Sequence, residues 1–104
     1  MDKKIEFSDC NSFGKRLVGF MFRLEPIKEG LRFPNCNSIH TIFMCQPIDV
    51  IMTDQNDEIL YLYPNLKSER VILPKKKVYY TYELPVGSVQ NLKVGDFLPV
   101  YQEK

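Results

Sequence analysis

The side chains best suited to holding a metal ion lie close together in the first half of the chain. His40 is the only histidine, and Cys36 and Cys45 lie within about five residues of it on either side. Zinc accepts both thiolate and imidazole ligands, but structural zinc sites usually take ligands in pairs two to four residues apart. A strand through 40–45 would also direct His40 and Cys45 to opposite faces. The spacing therefore predicts no metal site, and we expect no cofactor.

A catalytic role for His40 would need a nucleophile within hydrogen-bond reach and a third group to orient the imidazole ring. Cys36 could act as the nucleophile, and Asp49 could orient the ring if the chain folds back on itself. A lone histidine at the start of a strand is more often half-buried, with one ring nitrogen bonded to the backbone. The sequence also contains no Gly-rich phosphate loop and no G-x-S-x-G elbow. We predict no catalytic residue, and whether the protein is an enzyme stays uncertain, with the balance against it.

Asp49 is the carboxylate whose position predicts a definite role. It follows Pro47 at the head of an apolar segment, where an acidic side chain often accepts backbone N–H bonds and fixes a turn. A buried carboxylate next to a cleft would also be a candidate for function. Both interpretations place Asp49 at a structurally important point.

A basic run beside aromatic residues is the sequence feature that could bind nucleic acid. Lys75, Lys76 and Lys77 come directly before the tyrosine-rich segment 78–84, and basic charge beside aromatic rings is used to bind single strands. Lysines in a turn more often serve as a solvated cap against aggregation. The tyrosines of a strand over 78–84 would alternate between two faces, so they cannot form one stacking platform. Nucleic acid is therefore disfavoured as a partner.

The elements that must position these residues are predicted to be mainly strands. Residues 48–53 alternate, with Ile48, Val50 and Met52 on one face, and the turn-rich segment 54–58 links them to a second apolar run. This pair predicts a hairpin. Residues 78–84 repeat the alternation, and a tight turn at 93–96 leads into a closing strand.

The N-terminal part of the chain predicts a different arrangement. Ile5 and Phe7 alternate with polar residues, which favours a short edge strand. Phe13, Leu17 and Phe20 share one helical face, which predicts about two turns of helix. The predicted fold is mainly β within the α+β class: a small, partly closed, mostly antiparallel β-barrel with one short N-terminal helix, forming a single domain over residues 1–104.

The overall composition limits the classes of partner. The chain has 104 residues, with 14 Lys and Arg against 13 Asp and Glu, which gives a net charge of +1 and no long-range field toward anionic partners. No apolar run has the length of a signal sequence or a membrane span. The three cysteines form no C-x-x-C pair, which fits reduced thiols. We expect a cytoplasmic protein with no membrane partner.

Four segments together resemble the bacterial and archaeal family called domain of unknown function 192. The segments are KRLVGFMFR (15–23), IHTIFMCQPIDVIMTD (39–54), YELPVG (82–87) and KVGDFL (93–98). They occur in the family's order and at its spacing, and the resemblance covers nearly the whole chain. The residues that match the family's motifs are Arg16, Gly19, Met21, Arg23, Pro47, Asp49, Glu83, Leu84, Pro85, Gly87, Gly95 and Asp96.

The resemblance implies a compact β-rich domain and brings no established activity. One departure affects a polar segment of the family: its usual Phe-Trp-Met, followed by Lys, Asn and Thr, is here Ile39, His40 and Thr41 followed by Ile42, Phe43 and Met44. The resemblance therefore implies no binding role for this segment of the chain.

The function predicted first is therefore a non-catalytic binding or interaction module for a small ligand or a protein partner. Its candidate ligand-binding residues are Arg23, His40, Asp49 and Glu83. They are polar groups that could surround an aromatic-lined mouth. A structural or assembly partner of a larger complex is the second prediction, and a small hydrolase using His40 is the third. The ligand and the oligomeric state stay open at this point.

Overall fold

Every regular element in the described part of the chain is a β-strand. The computed structural model describes residues 5–9, 25, 27–98 and 100–102. The strands are β1 (Ile5–Asp9), β2 (Gly30–Pro34), β3 (Ile39–His40), β4 (Ile48–Thr53), β5 (Ile59–Leu66), β6 (Val71–Ile72), β7 (Tyr80–Leu84) and β8 (Val100–Gln102). The predicted N-terminal helix falls outside the described residues. Within them there is no helix with the length and apolar character that crossing a bilayer requires.

Six strands form one sheet and two form a smaller one. The order in the large sheet is β5-β4-β7-β2-β1-β8, and β3 pairs with β6. The predicted hairpin is confirmed, because β4 and β5 are antiparallel neighbours. Most pairings are antiparallel, but β1 is parallel to both β2 and β8. The prediction that Ile5 and Phe7 lie on an edge strand is wrong, because β1 has a hydrogen-bonded neighbour on each side.

The predicted closure into a barrel is not found in the described residues. β5 and β8 are the two ends of the sheet, and they do not pair with each other. A single bridge, Glu58 to Phe97, joins the chain before β5 to the chain before β8. The core is instead covered by added layers: the β3–β6 sheet packs on one face of the large sheet, and turns over 85–92 pack on the other. These layers bury the apolar faces of the sheet, which does not close into a barrel.

The large sheet buries both of its faces, which we call the Tyr82 face and the Val50 face. Side chains of β4 alternate between them as predicted, and all six residues of β4 are buried. The core of the Tyr82 face consists of Phe7, Ile51, Ile59, Tyr82, Leu84, Val89 and Leu98. The core of the Val50 face consists of Ile27, Met44, Ile48, Val50, Met52, Ile72 and Val78. β4 is therefore buried along its whole length, although it is second from the edge of the sheet.

Candidate functional site

Asp49 is a buried carboxylate that joins three parts of the fold. Its side chain is on the Tyr82 face of β4, and the residue is 1% exposed. Oδ1 accepts the backbone N–H of Asn65 at 2.8 Å, while Oδ2 accepts those of Gly87 at 2.9 Å and Val89 at 3.1 Å. Hydrogen bonds to an ionised group are among the strongest in proteins. We call this arrangement the Asp49 clamp, because it ties β4 to the end of β5 and to the turns after β7.

The local sequence explains why backbone N–H groups are available to Asp49. After Pro85 the chain makes successive i to i+3 turns, in which Ser88 N–H bonds Pro85 C=O and Leu92 N–H bonds Val89 C=O. Gly87 has φ +98°, a left-handed conformation that a side chain would strain, and a Cβ there would meet no atom within 4 Å. The glycine is therefore required for backbone conformation and not for space. This conformation turns the Gly87 and Val89 N–H groups toward one carboxylate oxygen.

A cleft lies beside the Asp49 clamp on the Tyr82 face. Its volume is about 380 Å³, and it runs between β5 and the turns over 85–92. The residues that line it are Asp49, Leu62, Pro64, Asn65, Val86, Gly87, Val89, Gln90 and Leu92. Most are aliphatic, and the surface that faces the cleft is almost entirely apolar. A cleft of this size is within the range that small-molecule sites occupy.

A second polar cluster lies elsewhere on the Tyr82 face and is built around Arg32 on β2. Arg32 Nε and Nη2 donate to the two carboxylate oxygens of Asp9, at 2.5 Å and 3.0 Å. The guanidinium carbon lies 4.7 Å from the centroid of the Phe7 ring and 4.4 Å from that of Tyr80, so the cation has aromatic contacts as well. Burial alone would lower the pKa of Arg32, but its hydrogen bonds to Asp9 and Tyr82 raise it. This cluster holds β1 against β2, and the Asp9 carboxylate neutralises the charge of Arg32.

Tyr82 extends the Arg32 cluster to the turn before β5. Its hydroxyl donates to Asp57 Oδ1 at 2.6 Å, and the Thr53 hydroxyl lies 3.2 Å from the same oxygen. Burial and the hydrogen bond to Asp57 hold the pKa of the Tyr82 phenol well above its ordinary value. The phenol is thus fixed in its neutral, donating form, and its role is structural.

The four predicted ligand-binding residues do not form one described site. Arg23 lies outside the described residues. Asp49 pairs with Leu84 on the Tyr82 face, whereas Glu83 is buried and pairs with Val50, so their side chains point to opposite faces of the sheet. Residue His40 lies on the small sheet and is exposed, and its Nδ1 accepts the N–H of Ile42 at 3.3 Å. Of the three that the structure describes, Asp49 alone borders the cleft.

The cysteines near His40 are free thiols in different environments. Cys36 is half-buried and donates its S–H to Ser38 C=O at 3.2 Å, and Cys45 is exposed. In the described ranges, no three His, Cys, Asp or Glu side chains are grouped so that they could hold a metal ion.

Sequence reasoning missed the Arg32 cluster because its partners are far apart along the chain. Asp9 and Arg32 are separated by 23 residues, and Asp57 and Tyr82 by 25. No local spacing connects them. The expectation that Asp49 accepts backbone N–H bonds is confirmed, but the donors come from β5 and the turns after β7 and not from its own turn.

The fold and the clamp define a small β-rich domain with a mixed open sheet, and comparison with known proteins gives its family. The family model DUF192, described as an uncharacterised ACR, matches residues 1–100. The chain is 33% identical to a UPF0127 protein of Pyrococcus furiosus, over 91% of this chain and 86% of that protein. It is 35% identical to a UPF0127 protein of Pyrococcus abyssi, over 89% and 82% of the two chains. The chain belongs to the DUF192 family.

Two solved structures share the fold. A protein of unknown function from Novosphingobium aromaticivorans superposes with a TM-score of 0.68 at 21% identity, over 88% of this chain and 70% of that one. A putative transcription regulator from Sinorhizobium meliloti superposes with a TM-score of 0.69 at 19% identity, over 88% and 76% of the two chains. At these identities the likeness shows the fold alone.

The segment that departs from the family pattern forms β3 and the turn after it. Phe43 lies in this turn with φ +67° and is 54% exposed. A bulky residue is strained at positive φ, whereas asparagine, which the family pattern has at this position, tolerates that conformation. The departure thus places an exposed aromatic ring where the backbone disfavours one.

We predict that Tyr82→Phe lowers the free energy of unfolding by about 1.5–3 kcal/mol at neutral pH, the range for a lost hydrogen bond to a charged group. Because the pKa of Tyr82 is raised in the folded state, this stabilisation is complete below the unfolded pKa of about 10 and is lost as pH rises above it. Urea unfolding at neutral pH and above pH ~10 measures both effects.

The matched control is Tyr79→Phe, on a half-buried tyrosine outside the Arg32 cluster. It should change the unfolding free energy by less than about 0.5 kcal/mol. Equal effects of the two variants, or a Tyr82→Phe effect that does not shrink at high pH, would contradict the assigned role of the phenol.

Proposed function

We propose that this protein is a non-catalytic binding module that takes an apolar group into the cleft between β5 and the turns over 85–92. The observation that carries the proposal is a cleft of about 380 Å³ with aliphatic walls, next to a buried carboxylate that fixes both of its sides. Ligand sites are typically concave, mostly apolar and equipped with a few polar groups. The surface that faces this cleft is almost entirely apolar, so an apolar group is the occupant that it fits.

The Asp49 clamp supports a site that exists before the ligand binds. One side of the cleft comes from β5 and the other from the turns, and the carboxylate of Asp49 bonds to backbone N–H groups on both sides. A wall that is already ordered costs little conformational entropy on binding. The apolar lining favours an aliphatic or aromatic group over a charged one.

The same contacts argue for binding over catalysis. Both oxygens of Asp49 already accept backbone N–H bonds, and the carboxylate is almost fully buried. An acid or base must reach the proton that it transfers. Asp49 therefore acts through the shape of the cleft, as a positioning residue. The free thiols of Cys36 and Cys45 fit a reducing compartment, so we keep the cytoplasm as the proposed location.

The cleft can be tested with small apolar probes and a blocking variant. We predict that indole and cyclohexanol shift the amide NMR signals of Leu62, Asn65, Val89 and Leu92 in a saturable way. Val86→Trp places a bulky ring on the cleft wall. It should lower the affinity for the probes, as measured by these shifts, at least about tenfold, or by about 1.4 kcal/mol.

Val94→Trp is the matched control for the blocking variant. Val94 is 60% exposed and does not line the cleft, whereas Val86 is 52% exposed and does. The control should bind the probes as the unmodified protein does. Shifts spread over the whole surface, or equal binding by the two variants, would refute the cleft as the site.

A second candidate function is assembly into a larger complex, and exposed apolar side chains favour it. Phe43, Val71 and Leu73 are 54%, 60% and 68% exposed, and they belong to the β3–β6 layer and the segments beside it. Exposed apolar groups that lie together often mark protein interfaces. If this face joins copies of the chain, sedimentation should show a concentration-dependent oligomer that Leu73→Lys abolishes. A monomer at all concentrations would remove self-assembly as an explanation.

A further inference from the structure

Two tyrosines on the edge strand β5 form a partly exposed pair of nearly parallel rings. Tyr61 and Tyr63 pair with Met52 and Val50, so both lie on the Val50 face, opposite to the face that holds the cleft. Their ring centroids are 6.5 Å apart and the ring planes differ by 14°. Tyr61 is 37% exposed and Tyr63 is half-buried against the core. Residues two apart on a strand share a face, so the backbone itself sets this spacing.

Positive charge is concentrated in the segment that follows β5, and one of its lysines contacts the tyrosine pair. Residues 67–77 carry Lys67, Arg70, Lys75, Lys76 and Lys77 against Glu69, a net charge of +4 in a chain whose total is +1. The rest of the chain is therefore acidic. We call these five cations the basic stripe. Four are exposed, and the fifth, Lys75, places its Nζ 5.5 Å from the centroid of the Tyr61 ring.

The basic stripe brackets the tyrosine pair because the chain turns back after β5. Lys67 and Arg70 follow the end of β5, and the chain returns through β6 so that Lys75 meets Tyr61 near the beginning of the strand. Tyr61 and Leu66 are five residues apart, about 17 Å along a strand. Lys75 thus lies at the Tyr61 end of the pair, and Lys67 and Arg70 come directly after the other end of the strand.

Neighbouring carboxylates are committed to other partners. Glu69 Oε1 accepts the N–H of Phe43. In the turn before β5, Asp54 Oδ1 accepts the N–H groups of Asn56 and Glu58, and Asp57 Oδ1 accepts the Tyr82 hydroxyl on the other face. Among the described residues, the ion pair is the one between Arg32 and Asp9, which includes no cation of the basic stripe. In the part of the chain that the structure describes, therefore, no carboxylate forms a direct ion pair with a cation of the basic stripe.

We propose that the tyrosine pair and the basic stripe form a binding surface for single-stranded nucleic acid. Bases would stack on the rings of Tyr61 and Tyr63, and phosphates would contact the lysines and Arg70. Stacking platforms flanked by positive charge are the usual means of holding single strands without sequence preference. Duplexes bind less well, because their bases are already stacked on each other. The inference does not rest on the cleft, which lies on the opposite face of the sheet.

This surface differs from the nucleic-acid surface that the sequence analysis weighed and disfavoured. That surface used the tyrosines of the segment 78–84, and in the structure Tyr79 and Tyr80 contact edge to face, with ring planes at 87°. The aromatic platform is formed by β5 instead. Only the return of the chain after β5 brings Lys75 to it.

The test is fluorescence anisotropy with a labelled oligothymidylate of about 12 nucleotides, within the usual site sizes. The unmodified chain should bind it more tightly than a duplex of equal length, and the affinity should fall with salt. Tyr61→Ala and Tyr63→Ala should each weaken binding at least about fivefold, while Tyr61→Phe keeps the ring and the affinity. Lys75→Gln should lower the slope of log K against log salt by about 0.7 for the lost phosphate contact.

Matched controls keep the test independent of folding. Phe97 is 63% exposed and Lys93 is exposed, and both lie outside the surface. Phe97→Ala and Lys93→Gln should leave binding unchanged. Binding is compared at a temperature at which every variant is folded, because Tyr63 packs against the core and Tyr63→Ala should lower the melting temperature. No binding at low salt would overturn the proposal. So would binding that ignores both tyrosine substitutions, or equal competition by polyglutamate, because either result would indicate a general polyanion or acidic-protein surface.

Discussion

One buried carboxylate holds this fold together at the point where three segments meet. Asp49 is nearly inaccessible to solvent, and a bare carboxylate in such a place would cost several kcal/mol, so its three backbone N–H bonds are required and not incidental. The donors come from the end of β5 and from the turns after β7. These segments follow β5 and β7, the two strands that flank β4. The Asp49 carboxylate lies between them and holds them at the separation that forms the cleft.

The rest of the structure follows from one strand, β4, whose two faces are both covered. All of β4 is buried, so each face of the sheet needs its own covering layer. The turns over 85–92 cover one face beside the cleft, and the β3–β6 sheet covers the other. The two proposed binding surfaces use these layers differently. The cleft is the apolar gap that one layer leaves, whereas the tyrosine pair lies beside the other layer, whose flanks carry the basic stripe.

Local patterns in the sequence predict the strands well, because side-chain alternation is a property of neighbouring residues. Ile48, Val50 and Met52 alternate as expected, and the turn-rich segment after Thr53 does make the β4–β5 hairpin. Long-range pairing is what local patterns cannot supply. The parallel pairing of β1 with β2 and the Asp9–Arg32 ion pair both join residues that are 23 apart in the sequence. Lys75 contacts Tyr61 only because the chain turns back after β5. For the site, the sequence identifies Asp49 but not its donors. The convergence expected of His40, Asp49 and Glu83 fails, because strand register sends Asp49 and Glu83 to opposite faces and His40 lies on the small sheet.

The most direct test of this account is the free energy of unfolding of Asp49→Asn, compared with Asp96→Asn. The amide keeps the shape of the carboxylate but replaces one acceptor oxygen with a donor that faces backbone N–H groups. We expect Asp49→Asn to lower the free energy of unfolding by about 2–4 kcal/mol and to reduce the hydrogen-exchange protection of the amides that the new NH₂ group faces, either Asn65 or the pair Gly87 and Val89. Asp96, which accepts one N–H bond in the 93–96 turn, should cost about 1 kcal/mol or less when changed. An Asp49→Asn cost no larger than that of Asp96→Asn, with the three amides still protected, would contradict the central role of the clamp.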